Sequence, residues 1–91
     1  MLSLPSSVRI FVAREPTDMR KGFDGLAAIV RRQGGDVFSG HLFAFISKRR
    51  DRIKVLAWES DGFALYYKRL EKSRFKLPPF GEGCQSIQLD S

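Results

Sequence analysis

Three runs of strand-forming residues follow one another with almost no chain between them. They are His41–Ser47 (HLFAFIS), Arg52–Glu59 (RIKVLAWE) and Gly62–Leu70 (GFALYYKRL). Connections as short as Lys48–Asp51 and Ser60-Asp61 suit hairpins, so the three runs are expected to form an antiparallel meander. The second junction reads as a tight turn because Asp61-Gly62 tolerates positive φ. Alternation assigns the faces. Ile53, Val55 and Ala57 oppose Lys54, Leu56 and Trp58; Phe63, Leu65 and Tyr67 oppose Tyr66 and Lys68; Leu42, Ala44 and Ile46 oppose Phe43 and Phe45. Both faces of such a sheet are apolar at their centres.

Upstream, Val8–Ala13 (VRIFVA) reads as a further strand, stopped by Glu15-Pro16. Thr17 or Asp18 is suited to cap a helix over which Met19, Phe23, Leu26 and Val30 form one apolar stripe. Gly22 and Gly25 each cost about 1 kcal/mol of helix propensity, which close approach to a sheet would offset. Gly34-Gly35 is a natural stop. The expected fold class is α+β, one helix packed on an antiparallel sheet of four or five strands. On this reading Phe23 is core, and Phe23→Ala costs about 3–5 kcal/mol. A chain of 91 residues supports one domain. Its core is expected over about 8–78. Residues 79–91 read as a linker (Pro78-Pro79, Gly81, Gly83) and a truncated tail, in which Ser86–Leu89 adds a short strand. One helix covers only one sheet face, so the other is expected to meet the tail, a partner or a second copy, and a homodimer is the expected assembly.

Charge is concentrated in one stretch of the chain. The formal net charge is +6. Residues 48–76 alone hold ten basic residues, Lys54 among them, against Asp51, Glu59, Asp61 and Glu71. Meander geometry returns the end of the third strand to the Lys48–Asp51 turn. It thereby gathers Lys48, Arg49, Arg50, Arg52, Lys68, Arg69, Lys72, Arg74 and Lys76 at one pole. Such a pole suits the phosphates of DNA, bound with weak or no sequence preference and with counterion release. The competing reading is that these side chains only solubilise strand ends and loop tips. Tyr66, Tyr67 and Phe75 nearby would stack on bases if the ligand is single-stranded, or else belong to the core.

Little in the sequence points to catalysis. One cysteine allows no internal disulfide, and one histidine with one cysteine does not make a zinc site within one chain. No serine sits in a nucleophile elbow that would pair with His41, which reads as a structural or exposed residue. No glycine-rich loop precedes the helix in phosphate-binding spacing. Cys84 reads as incidental, and Glu59 with Asp61 is too isolated for a metal. No enzyme activity, cofactor or metal is expected. No apolar run approaches the roughly 20 residues of a membrane span, and no secretory signal is visible, so a cytoplasmic location without membrane association is expected.

Three segments in order, PTDMRKGFDGL (Pro16–Leu26), FSGHLFAF (Phe38–Phe45) and DRIKVLAWESDGFALYYKRLEKSRFKLP (Asp51–Pro78), carry a resemblance. They are similar to the small accessory protein of insertion-sequence 66 type transposable elements, often called TnpB and distinct from the RNA-guided nuclease of that name. The resemblance implies a bacterial protein encoded beside a transposase and assisting transposition, with the element's transposase as partner. It brings no catalytic residues. Family members usually continue into a leucine-rich helical tail, which this sequence lacks after Ser91. Two functions follow as expectations: a non-enzymatic accessory factor holding DNA through the basic pole, or a module docking on the transposase or another accessory subunit without touching DNA.

Overall fold

A computed structural model describes residues 8–76 and 85–87. Strand β1 (Ile10–Val12) is followed by helix α1 (Phe23–Arg32), then by β2 (Leu42–Ile46), β3 (Arg52–Glu59), β4 (Gly62–Arg69) and β5 (Gln85–Ile87). The spatial order is β4-β3-β2-β1-β5. The meander forms as expected, with Ile46 opposite Ile53 and Glu59 opposite Gly62. The proline-glycine linker, Cys84 and Leu89 lie outside the described residues.

The sheet is mixed rather than antiparallel, which corrects the sequence expectation. β1 runs parallel to β2, with Phe11 opposite Phe43, while β5 is antiparallel to β1. Strand alternation reports faces and carries no direction. The connection through α1 is long enough to bring the chain back to its starting end, which is what parallel neighbours require.

The helix also begins later than the stripe implied. Its N-cap is Gly22, without a side-chain bond. Thr17 is buried, its N–H donating to the Ile46 carbonyl at 2.9 Å. Asp18 accepts the Arg20 N–H at 2.9 Å, and its own carbonyl accepts the Lys21 N–H, so this segment is a turn in place of a cap. Leu26, Ala27 and Val30 are buried in one cluster with Phe43, Phe45 and Leu56, and half-buried Met19 packs against it. Phe23 departs from expectation. It is 45% exposed, its ring centroid 6.4 Å from that of Phe63. The glycines do not mark close approach to the sheet either: Gly22 faces open space, and a side chain at Gly25 would meet only that of Lys21.

The helix stop behaves as read. Gly34, at φ +82°, donates its N–H to Arg31, and Gly35 donates to Val30 at 2.9 Å, so two terminal carbonyls are satisfied. At Gly35 a Cβ would stand 2.8 Å from Val30 Cγ1 and 3.3 Å from the Phe43 ring. Val30 is buried and stiff at χ1, so neither neighbour yields easily. Gly35→Ala is therefore expected to cost about 1–3 kcal/mol, read as a lowered midpoint in chemical denaturation.

The opposite sheet face has its own small cluster of Val12, Ala44 and Ile46, with Ile10, Ile53, Val55 and Phe75 against it. His41 proves structural: its Nδ1 accepts the Arg9 N–H at 3.0 Å, and its ring stands edge-on to Phe11.

Candidate functional site

The turn between β2 and β3 is built by local hydrogen bonds among polar residues. Arg50 N–H donates to the Ser47 carbonyl, Ser47 Oγ accepts the Arg52 N–H at 3.1 Å, and the same hydroxyl donates to Asp51. Closing the turn places Arg50 at φ 62°, the only positive φ at a non-glycine residue among those described. Asp61 and Gly62 are not at positive φ, so the second turn forms where expected without using that freedom.

The chain after β4 is clipped onto this turn. Leu70 N–H donates to Asp51 at 2.7 Å and Phe75 N–H to Arg50 at 2.6 Å. Burial of Phe75 in the second-face cluster anchors the segment, and the exposed Lys72, Arg74 and Lys76 ride on it. Phe75 is thus a packing residue, whereas Tyr66 and Tyr67 are each about half exposed, at 53% and 51%.

The nine basic residues read from the sequence do not share one surface. Lys48, Arg49 and Arg52 line a cleft of about 560 Å³ together with Thr17, Asp18, Arg20 and Tyr67. Arg50 lines a neighbouring crevice against Ala13–Pro16. Lys68 is opposite Ile53, on the other sheet face from Arg69. Arg69 is opposite Arg52 and pairs with Glu71 at 2.9 Å. Two cations directly opposite across a strand pair repel, and Glu71 relieves only one of them. The Arg52 Nε is buried without an acceptor.

Two cations of this region lie outside the nine assigned to the pole from the sequence. Arg20 forks onto Asp18, with Nη2 at 2.8 Å. Those bonds, with the backbone bond from Arg20, hold the Asp18 carboxyl down at about 2. Any stability the pair lends is present above the ordinary carboxylate value and is lost as pH falls through about 2. Lys54 Nζ donates to the Lys21 carbonyl at 2.9 Å and stands 5.1 Å from the Tyr67 ring centroid.

Relieving the turn separates its geometry from its charge. Arg50→Gly is expected to raise stability by about 0.5–1 kcal/mol, since glycine occupies this backbone region without the Cβ penalty. Thermal unfolding of the variant checks it.

A second exposed feature lies at the far end of the sheet. Phe38, 54% exposed, meets Trp58 edge-on at 5.0 Å and Phe63 at 5.7 Å, with Phe23 beside them. Among the described residues no cluster of His, Cys, Asp and Glu suits a metal ion, and no helix is long and apolar enough to cross a membrane.

The described residues form a small α+β fold with several cations around the turn at one end of the sheet and an aromatic patch at the other. The chain belongs to the IS66 Orf2-like family, whose model matches residues 8–91. That family is one of accessory proteins and is not a known enzyme family. It connects the chain with the machinery of transposition. Two proteins of Sinorhizobium fredii, both uncharacterised, are similar: y4jC is 37% identical over 92% of this chain and 73% of its own length. The other, y4hO, is 34% identical over 96% and 76% respectively. No solved structure matches.

Proposed function

We propose that the chain is a non-enzymatic accessory factor of transposition whose basic pole holds the DNA backbone while another surface engages the transposase. The observation that carries this reading is the turn at Lys48–Asp51. An arginine is kept at φ 62° where glycine would be less costly, and strain of that kind concentrates at functional positions. Around it Lys48, Arg49 and Arg52 have no carboxylate partner among the described residues, and the clipped segment adds Lys72 and Arg74. Phosphates would supply the missing acceptors. Helix α1 presents no row of side chains suited to reading bases, which favours backbone contact with little sequence preference and selection of the element's ends by the transposase.

The aromatic patch of Phe38, Trp58, Phe63 and Phe23 favours the second part of the reading, a protein partner. Phe38 and Phe23 are exposed beside half-buried Trp58 and Phe63, and rings grouped on one surface in this way suit a docking site. The homodimer belongs to the same proposal: β4 is a sheet edge carrying two exposed tyrosines, open to pairing with another copy. Sedimentation showing monomers at all concentrations would remove it.

Titration of element-end and unrelated duplexes at two salt concentrations tests the DNA role. Weak binding that falls steeply with salt and hardly distinguishes the duplexes is expected. Absence of binding to both at low salt would reject the role and leave protein docking as the function.

A further inference from the structure

The cleft beside the turn is an open depression that differs from a generally basic surface in holding an aromatic ring among its cations. It lies beyond the carboxyl ends of the parallel pair β1 and β2, where chains leaving adjacent strands diverge and where α/β sheets commonly take ligands. Its volume of about 560 Å³ falls within the roughly 300–1,000 Å³ of small-ligand sites. Of its two carboxylates, Asp18 is paired with Arg20, and Asp51 accepts the Ser47 hydroxyl and keeps its charge, which the three remaining cations outnumber. That leaves Lys48, Arg49 and Arg52 unpaired, with the Arg52 Nε buried and lacking an acceptor. On the β4 wall Tyr67 is half exposed, and Lys54, tethered to the Lys21 carbonyl, lies 5.1 Å over one face of the ring, so a base would stack on the other.

We propose that this cleft receives one nucleotide of a single-stranded nucleic acid, its phosphate held by Lys48, Arg49 and Arg52 and its base stacked on Tyr67. The inference rests on the pole being the nucleic-acid surface and adds which form of nucleic acid it prefers. A duplex keeps both faces of its bases within the stack and offers the cleft only phosphates. An unpaired base offers a face, and a base–aromatic stack tolerates any sequence. Transposition exposes unpaired strand ends wherever DNA is cut or opened, so such a ligand is chemically at hand.

The test uses a labelled oligothymidine strand and the duplex it forms with its complement, titrated into the full chain and into Tyr67→Ala and Tyr67→Phe. Tyr67 is half exposed, so both variants should fold, which circular dichroism checks. The single strand is expected to bind more tightly than the duplex. Tyr67→Ala should lose roughly tenfold or more on the single strand, Tyr67→Phe should restore it, and duplex affinity should change little. Direct titration of thymidine monophosphate separates the two sources of this chemistry: affinity at least tenfold weaker than that of the strand supports the inference, and affinity equal to the strand's assigns the cleft to a free nucleotide and overturns it. Salt-sensitive binding that treats strand and duplex alike, or a Tyr67→Ala loss equal on both, overturns this inference and leaves the basic pole standing. No binding of either at low salt overturns both.

Discussion

Phe45→Ala is expected to cost about 3–5 kcal/mol and to lower the denaturation midpoint sharply. Phe45 is 1% exposed, between the helix residues Leu26 and Val30 and the sheet residue Leu56. The whole stability of a domain this small is about 0.05–0.15 kcal/mol per residue, so one such cavity removes much of it. Phe23→Ala should behave differently. Its ring is nearly half exposed and leans on Phe63, so the loss should be nearer 1 kcal/mol. Denaturant unfolding of both variants, with the change in slope recorded, checks the contrast. A Phe23→Ala loss as large as that of Phe45→Ala would mean that the helix sits deeper on the sheet than described here.

The second large effect is on binding. Replacing Lys48, Arg49 and Arg74 together by alanine should weaken DNA binding at low salt by tenfold or more. Each lost phosphate contact should flatten the slope of log affinity against log salt by about 0.9 on duplex DNA. All three side chains are exposed and, among the described residues, without partners beyond one local bond of Arg74 to Ser73, so stability should stay within about 0.5 kcal/mol. Arg52 is left in place because its buried Nε makes it part of the wall as well as a charge. Unchanged affinity in the triple variant would move the DNA contact away from the turn.

Much of the geometry around the β2–β3 turn was legible because hairpin turns set register. A two-residue turn at Ser60-Asp61 puts Glu59 opposite Gly62, and counting back puts Lys54 opposite Tyr67 and Arg52 opposite Arg69. The face of every β2, β3 and β4 side chain followed from alternation. The direction of β1 did not, since its neighbour is reached through a helix and the strand itself has no polarity signal. The start of α1 was obscured by the segment Thr17–Lys21. Its capping residues and apolar Met19 fit a first helical turn, but Thr17 instead bonds to β2 and Asp18 to Arg20. The consequence reached the site: with the helix starting at Phe23, Arg20 falls into the cleft, and Phe23 moves out to the aromatic patch. Arg50's backbone was invisible for another reason, since arginine carries no preference for positive φ and only the closed turn demands it.

Amide chemical shifts followed during addition of DNA to isotopically labelled protein test the central claim most directly. The largest changes should fall on Ser47–Arg52, Arg69–Phe75 and the Thr17–Arg20 turn, and should shrink as salt is raised. The amides around Phe38 and Trp58 should stay in place. Changes centred on Phe38, Trp58 and Phe63 with the turn unmoved, or no changes at low salt, would contradict a DNA contact at the basic pole.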